Sequence, residues 1–481
     1  MESFLISLLH HAGSRPNAPA LIDFGQSPET TVTWRQLASE VYRAHQTLEQ
    51  IATRQGHSDL RGMPVGYAAS NTVPQLLLGL ACQMSGAIEV PLDVRGGESY
   101  VKKCWQQVIG LWIDDGVWQD VWCACADSNL NDYINKIRDA AESLDLDSPS
   151  LILFTSGTTG DPKGVTLSHR NLIGNANAKL TAVPQHCDDV RVSILSYAHA
   201  YARTCDLGTW LLSGSVLVPA WGYQDWVRIA PQIRPTIVNT VPSIAERIRE
   251  ETGASTTRLR LLGCGGAAMS QDDFHAWKQR GVTVIQGYGL TETAPVICSA
   301  TPENARAGWV GRLVDGWEHK IVAGELRVRG PHTMLGYWND PVSTALRVDA
   351  QGWLKTGDVV EQDPDSGQFR ILGRADDLLI LPNGHALHPV ALEGLLTEEP
   401  SIRHAFVTCV GIRIVVWLDV VGEWHDEQAR QIIHSRLASR PRWEIPKEIK
   451  RFPEPIESRM ELLTPKGSLR RKAVQRWVES L

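Results

Sequence analysis

The densest chemical signal in the chain is the run Thr155-Ser156-Gly157-Thr158-Thr159-Gly160, followed after two residues by Lys163. Glycines let backbone N–H groups turn toward an anion, hydroxyls add donors, and the lysine adds charge. The chemistry this predicts is the cradling of a polyphosphate. The spacing G-x-x-x-x-G-K-[ST] is absent, and no Gly-Lys dipeptide occurs anywhere, so the loop is not the one P-loop NTPases use. A second cluster is GYGLTET at 287–293. Tyr288, between Gly287 and Gly289, can lay its ring flat on a purine, with the glycines allowing close backbone approach. Thr291 offers a hydroxyl to a phosphate oxygen. Glu292 offers the hard carboxylate oxygen that magnesium prefers when water and phosphate supply the rest.

These loops need a scaffold, and the sequence describes one. Leu151–Phe154 reads as a buried strand feeding the phosphate loop. Elsewhere short apolar runs, glycine-bearing turns and helical patterns alternate, the signature of parallel βαβ units. Residues 64–71 read as a strand, Val73–Met84 as a helix stopped by Gly86, and Ala87–Val90 as the next strand. A second series reads as a strand at 236–240, a helix over Pro242–Glu251 and a strand at 258–263. It closes with a helix begun by Ser270 and Asp273 and a strand at 282–286. Ligands of such sheets sit at the carboxyl ends of the strands. Beyond about residue 373 the glycine-rich turns thin out. Strands are expected at 405–410 and 412–420, a helix over Asp426–Arg436, and then a basic tail.

The 481 residues are too many for one compact unit. With 43% hydrophobic and 21% charged residues the chain reads as globular, which excludes disorder, collagen and coiled coil. A net charge of −7 argues against nucleic acid as a partner. No apolar run approaches the roughly 20 residues of a spanning helix, and the start MESFLISLLHHAGSRP lacks the marks of a signal peptide. A cytoplasmic protein without integral membrane association is the expectation. Nine scattered cysteines, only Cys123 and Cys125 close together, form neither a disulfide framework nor a zinc pattern and are expected to be buried small residues. The 17 tryptophans have no period and are assigned to packing.

TSGTTGDPKG resembles the phosphate-loop signature of the adenylate-forming superfamily: acyl-CoA synthetases, peptide-synthetase adenylation domains and luciferase. The resemblance runs from about residue 14 to about residue 475. GCGGAAM at 263–269 is similar to the family's adenine-binding turn, and GYGLTET to its adenine and magnesium motif. GELRVRGPHTMLGYWND at 324–340, GWLKTGD at 352–358 and LGRADDLLILPNG at 372–384 follow in the family's order. The fold this implies is α/β: a large N-terminal domain with layered sheets and helices, residues 1–373, a hinge at 374–377, and a small, mobile C-terminal α+β lid, 378–481. The implied cofactors are ATP, Mg2+ and coenzyme A.

The resemblance makes Thr155–Gly160, Lys163 and Thr291 the polyphosphate site and Glu292 the metal ligand. It places Gly265, Gly266, Ala267, Tyr288 and Gly289 around adenine, Asp358 on the ribose hydroxyls with Arg374 behind it, and Gly384 at the thiol entrance. Asp376 falls at the pivot. Ser193–Arg203 resembles the acid-pocket segment with His199 at its gate, in a style closer to long-chain acyl-CoA synthetases than to amino-acid-activating domains. No acidic residue at 195–205 is obviously placed for a substrate ammonium, although Asp206 is close by.

One departure stands out in LLTPKGSLRRKAV, residues 462–474: the family's catalytic C-terminal lysine falls on Ser468. A serine cannot set a positive charge between two anions, a loss commonly on the order of 10²–10³ in rate. In an extended strand Lys466 and Arg470 would project on the same side as Ser468, about 6.6 Å away. Lys466 then replaces the lysine, or the first half-reaction is slow or replaced, or catalysis is lost. The basic cluster Arg470, Arg471, Lys472 reads as a solvated face. The expected function is an ATP-dependent ligase joining a carboxylic acid, fatty or otherwise apolar, to coenzyme A through an acyl-adenylate. Two alternatives stay open: transfer to an acyl carrier protein, and a nonenzymatic nucleotide- or acyl-binding module.

Overall fold

The computed structural model describes residues 2–25, 29–118, 130–155, 161–251, 254–381, 386–410, 413–423, 425–438, 440–463 and 469–481. The chain divides into two compact units: residues 1–319, 328–354 and 366–368 form unit 1, and residues 320–327, 355–365 and 369–481 form unit 2.

Unit 1 carries two sheets. The nine-stranded one runs, in spatial order, β14 (Arg312–Leu313), β13 (Val296–Ser299), β12 (Thr283–Gly289), β11 (Leu261–Cys264), β10 (Ile237–Thr240), β8 (Val190–Ser193), β9 (Val216–Pro219), β1 (Pro19–Asp23), β2 (Thr30–Thr33). From β12 through β1 every neighbouring pair is parallel, as the βαβ pattern requires; the two edges are antiparallel. The six-stranded sheet is β17 (Gly336–Tyr337), β7 (Lys163–Ser168), β6 (Pro149–Thr155), β4 (Ile88–Asp93), β3 (Pro64–Ala69), β5 (Leu111–Trp112). Its β4 and β6 strands are almost wholly buried, hence the continuous apolar run Leu151–Phe154 in β6, while β4 buries Glu89 among apolar neighbours.

The helices form where the capping chemistry lies. Thr33 caps Trp34–Arg54 with a reciprocal bond to Gln36. Gly86, at φ +68°, ends Val73–Ser85. Ser270 Oγ accepts from the Asp273 N–H at 3.0 Å to start Gln271–Gln279. The second strand of the second series, expected at 258–263, starts three residues later than its apolar run suggests. Leu261 is the first residue with ladder partners on both sides, Ile237 and Thr283, whereas Arg260 turns its guanidinium to Asp189. Trp34, Trp118, Trp210, Trp226 and Trp277 are fully buried, and Trp34 stacks on Trp210 with centroids 5.5 Å apart. Burying such rings is among the largest apolar contributions a core receives.

Unit 2 holds the sheet β15 (Glu318–Val322), β16 (Glu325–Arg329), β18 (Leu354–Gln362), β19 (Phe369–Arg374), apart from the few strand residues assigned to unit 1. With it go the short pair β20 (Leu379–Ile380) and β21 (Ala386–Leu387) and the sheet β22 (Ile402–Val410), β23 (Arg413–Val420), β24 (Glu448–Arg451). So divided, the second unit begins ahead of residues 374–377, because the helix Pro389–Thr397 packs against β19.

Two expectations are corrected here. Cys82, Cys104, Cys205, Cys264 and Cys298 are buried thiols, but Cys187 is exposed and Cys409 half-exposed. Arg471 is not part of a solvated basic face. Its guanidinium holds the buried Glu393 at 2.5 and 2.7 Å, donates to Val407 O at 2.8 Å and lies over the Phe406 ring. Burial raises the Glu393 pKa, and Arg471 opposes that rise. Its neighbours Arg470 and Lys472 are exposed.

Candidate active site

β6 and β7 form an antiparallel pair in which Thr155 and Lys163 are register partners, so both anchors of the phosphate loop stand together at the carboxyl end of β6. Ser156, Gly157, Thr158, Thr159 and Gly160 lie outside the described residues. Lys163 Nζ donates to Ser343 Oγ at 2.7 Å and sits 5.1 Å from the centroid of the Tyr337 ring. The Tyr337 hydroxyl donates to Glu292 Oε1 at 2.7 Å, and Arg347 Nη2 lies 3.3 Å from the same oxygen. Lys163 and Glu292, 129 positions apart, are thus joined through one tyrosine. Burial, and then the Glu292 carboxylate, push the Tyr337 phenol well above its ordinary pKa, so it stays a donor. Beside Lys163 opens a cleft of about 630 Å³, lined among others by Lys103, Asp161, Tyr337 and Ser343.

Tyr288 and Thr291 are half-buried around the end of β12. The neighbouring glycines have a reason that the sequence does not reveal. A Cβ on Gly289 would stand 1.7 Å from Pro295 O, so glycine there is what lets the chain fold back on itself. At Gly265 a Cβ would come 3.2 Å from the Tyr201 ring, and Gly266 has φ +79°; Ala267 follows in the same exposed turn.

Asp358 and Arg374 are register partners on β18 and β19, linked at 3.0 Å, and Arg374 also donates to Thr356 O at 3.1 Å. Asp376 is exposed on the short 3-10 turn Ala375–Asp377. Gly384, Lys466 and Ser468 lie outside the described residues. Arg470 donates its Nε to Leu463 O at 2.8 Å.

His199 Nε2 lies 2.8 Å from Asp93 Oδ2 at the carboxyl end of β4. Burial works against the Asp93 carboxylate, but hydrogen bonds from His199 and Arg95 more than offset it and hold its pKa well below the usual range. Asp206 is not available to a substrate ammonium. It is fully buried and accepts from Ser193 Oγ at 2.8 Å and Asn239 Nδ2 at 2.7 Å. Burial raises its pKa, and Arg191 opposes that rise. Sequence reasoning missed Tyr337, Ser343 and Arg347. Tyr337 falls inside the quoted motif at 324–340; Arg347 falls in no motif.

Among the described residues no group of three or more His, Cys, Asp or Glu could hold a metal, so Glu292 fits a cation brought by phosphates rather than one caged by protein. A paired loop lysine, a single buried carboxylate and a two-unit α/β plus α+β architecture define an adenylate-forming enzyme. The chain belongs to the AMP-binding enzyme family, whose profile matches residues 8–338. It is 28% identical over 489 residues to an indoleacetate–CoA ligase of Aromatoleum aromaticum, covering 91% of this chain and 92% of that one. A feruloyl-CoA synthase of Amycolatopsis sp. is 29% identical, with 86% of each chain covered. Among solved structures the fold matches ATP-bound MatB from Rhodopseudomonas palustris with a TM-score of 0.78 at 22% identity, covering 99% of both chains. No helix among the described residues is long and apolar enough to cross a membrane.

Proposed function

We propose that the protein is an ATP-dependent carboxylic acid–CoA ligase whose acid is aromatic. The observation that carries the first half is the chain of contacts Lys163–Tyr337–Glu292, which puts a cation and a buried carboxylate at the mouth of the phosphate loop. In this reading the loop from Thr155 to Gly160, Lys163 and Thr291 hold the polyphosphate. Glu292 binds magnesium, which when present neutralises the phosphate charge. Tyr288, with Gly265, Gly266, Ala267 and Gly289, frames the adenine, and Asp358, oriented by Arg374, takes the ribose hydroxyls.

The first step brings two anions together. A carboxylate oxygen attacks the α-phosphorus, the bond to the bridging oxygen breaks, and pyrophosphate leaves with its electron pair. Positioning supplies much of the rate, and Lys466 supplies the charge that Ser468 cannot. Residues 378–481 then turn about residues 374–377, with Asp376 at the pivot, and the thiolate of coenzyme A, entering past Gly384, attacks the acyl carbon and displaces AMP.

Two observations support an aromatic acid over the fatty acid suggested by the HAYAR run. The relatives described above are named for indoleacetate and ferulate, and Tyr201, on the acid-pocket segment, presents its ring beside Gly263 and Gly265. His199 gates the same pocket. Mass spectrometry with ATP, magnesium, coenzyme A and a panel of indole-3-acetate, ferulate, 4-coumarate and fatty acids of graded length tests both halves. Aryl-CoA with AMP is the expected result. Acyl-CoA from the fatty acids alone would overturn the substrate class, and no AMP with any acid would overturn the ligase.

A further inference from the structure

The helix Pro341–Arg347 turns two side chains, four residues apart and so on one face, toward the proposed polyphosphate site. Ser343 Oγ accepts from Lys163 Nζ at 2.7 Å, and Arg347 Nη2 lies 3.3 Å from Glu292 Oε1. On the neighbouring face Val342 and Leu346 are exposed, so these two apolar side chains of the helix face solvent. Glu292 is 7% exposed, and the Arg347 side chain is largely buried. Arg347 Nε is shielded from solvent and has no hydrogen-bond partner among the described residues.

A guanidinium offers five donors in a rigid fork suited to carboxylate and phosphate alike. Arg347 neutralises a buried carboxylate that would otherwise be costly, yet part of its fork is unused. Once Glu292 gives its charge to a metal, the nearest anion facing Arg347 is phosphate. Resting on the ATP-dependent ligase reading, we propose that Arg347 is a further polyphosphate-binding residue that exchanges Glu292 for the β,γ-phosphates of ATP. Its place on the same helix face as the partner of Lys163 ties it to the pyrophosphate half of the nucleotide rather than to the AMP half.

Calorimetric titration of the full chain with ATP, inorganic pyrophosphate and AMP, each with magnesium, tests this. Arg347→Ala is expected to weaken ATP and pyrophosphate binding about tenfold to a hundredfold, the loss of a charge-assisted hydrogen bond, and to leave AMP binding within about twofold. Arg347→Lys keeps the charge without the fork and should lie between; it also decides the matter if the alanine variant does not fold. Unchanged pyrophosphate binding in both variants overturns the proposal. An equal loss for AMP also overturns it, because Arg347 would then only brace Glu292. A wild-type chain that binds neither ATP nor pyrophosphate would instead remove the ligase reading itself.

Discussion

Gly289→Ala separates two explanations of the Gly-Tyr-Gly motif. If the glycines exist to let a purine approach, alanine should harm binding and leave stability alone. The structure gives the opposite expectation. The new Cβ would stand 1.7 Å from Pro295 O, 2.7 Å from Pro295 C and 3.1 Å from Ile297 N, all backbone atoms that no rotamer change can move. Relief requires the β12–β13 pair to part. Pro295 O accepts from Leu290 N at 3.0 Å and Thr293 Oγ1 at 2.6 Å, so displacing it strains two further bonds. Overpacking costs about 1–3 kcal/mol and each hydrogen bond about 0.5–1.5 kcal/mol, giving roughly 2–6 kcal/mol in all. Gly287→Ala is the internal control, since its Cβ would meet only Cys298 O, at 3.2 Å. Urea unfolding followed by tryptophan fluorescence should place Gly289→Ala far below wild type and Gly287→Ala close to it. A Gly289→Ala protein within about 0.5 kcal/mol of wild type, inside the ordinary scatter for neutral surface changes, would refute the packing argument.

Lys466→Ala should nearly abolish acyl-adenylate formation, read by pyrophosphate release, while ATP binding persists; full activity would remove Lys466 from the mechanism. Burial pushes the His169 imidazole down to about 4, against an unfolded value of about 6.5. Between those values the unfolded chain binds a proton that the native one does not, so His169 makes stability fall as pH drops from 6.5 toward 4. His169→Gln should make that slope shallower by up to about 1.4 kcal/mol per pH unit in urea titrations at stepped pH, and an unchanged slope would refute the assignment. Arg471→Ala leaves Glu393 buried and unpaired, which should destabilise unit 2 by about 3–5 kcal/mol. Adding Glu393→Gln should recover part of it in the same denaturation assay, and no recovery would show that the loss is not one of charge.

What could be read from the sequence was local. The helix stops at Gly86 and the cap at Ser270 depend on neighbours three or four residues away, and the strands β22 and β23 appear as apolar runs, so their positions follow from the text. The Thr155–Gly160 run and Glu292 stand out in the sequence as candidates because their residue types are packed into a few adjacent positions. Pairings across the fold do not. Tyr337 reaches Glu292 over 45 positions and Arg471 reaches Glu393 over 78, and nothing in composition or period marks such partners. Arg471 was misread for this reason: three basic residues in a row look solvated until the carboxylate that buries one of them is known. The packing demand at Gly289 is likewise hidden in the sequence, because it lies in whatever occupies the space a Cβ would fill.

The same limit governs the choice of acid, and here the structure adds a constraint. β4 places Glu89 and Asp93 on one face of the strand, and the acid-pocket segment places His199 and Arg203 four residues apart. His199 lies 2.8 Å and Arg95 2.7 Å from Asp93, while Arg203 forms two bonds to Glu89, at 2.9 and 2.6 Å, with Tyr67 closing the cluster. Burial, and then Glu89, raise the Tyr67 phenol far above its ordinary pKa, so it remains a donor to that carboxylate. Breaking the buried Arg203 pair from one side would cost about 3–5 kcal/mol, so under the ligase reading residues 199–203 form a wall of the acid pocket that is braced at Arg203. Selectivity in that pocket then depends on side chains carried by the wall. Tyr201 is the one that faces glycine: a Cβ at Gly263 would come 2.9 Å from its hydroxyl and one at Gly265 3.2 Å from its ring. The Tyr201 ring already fills the space that side chains at positions 263 and 265 would need, so under the ligase reading a larger residue at either glycine would displace the ring and alter the wall it belongs to.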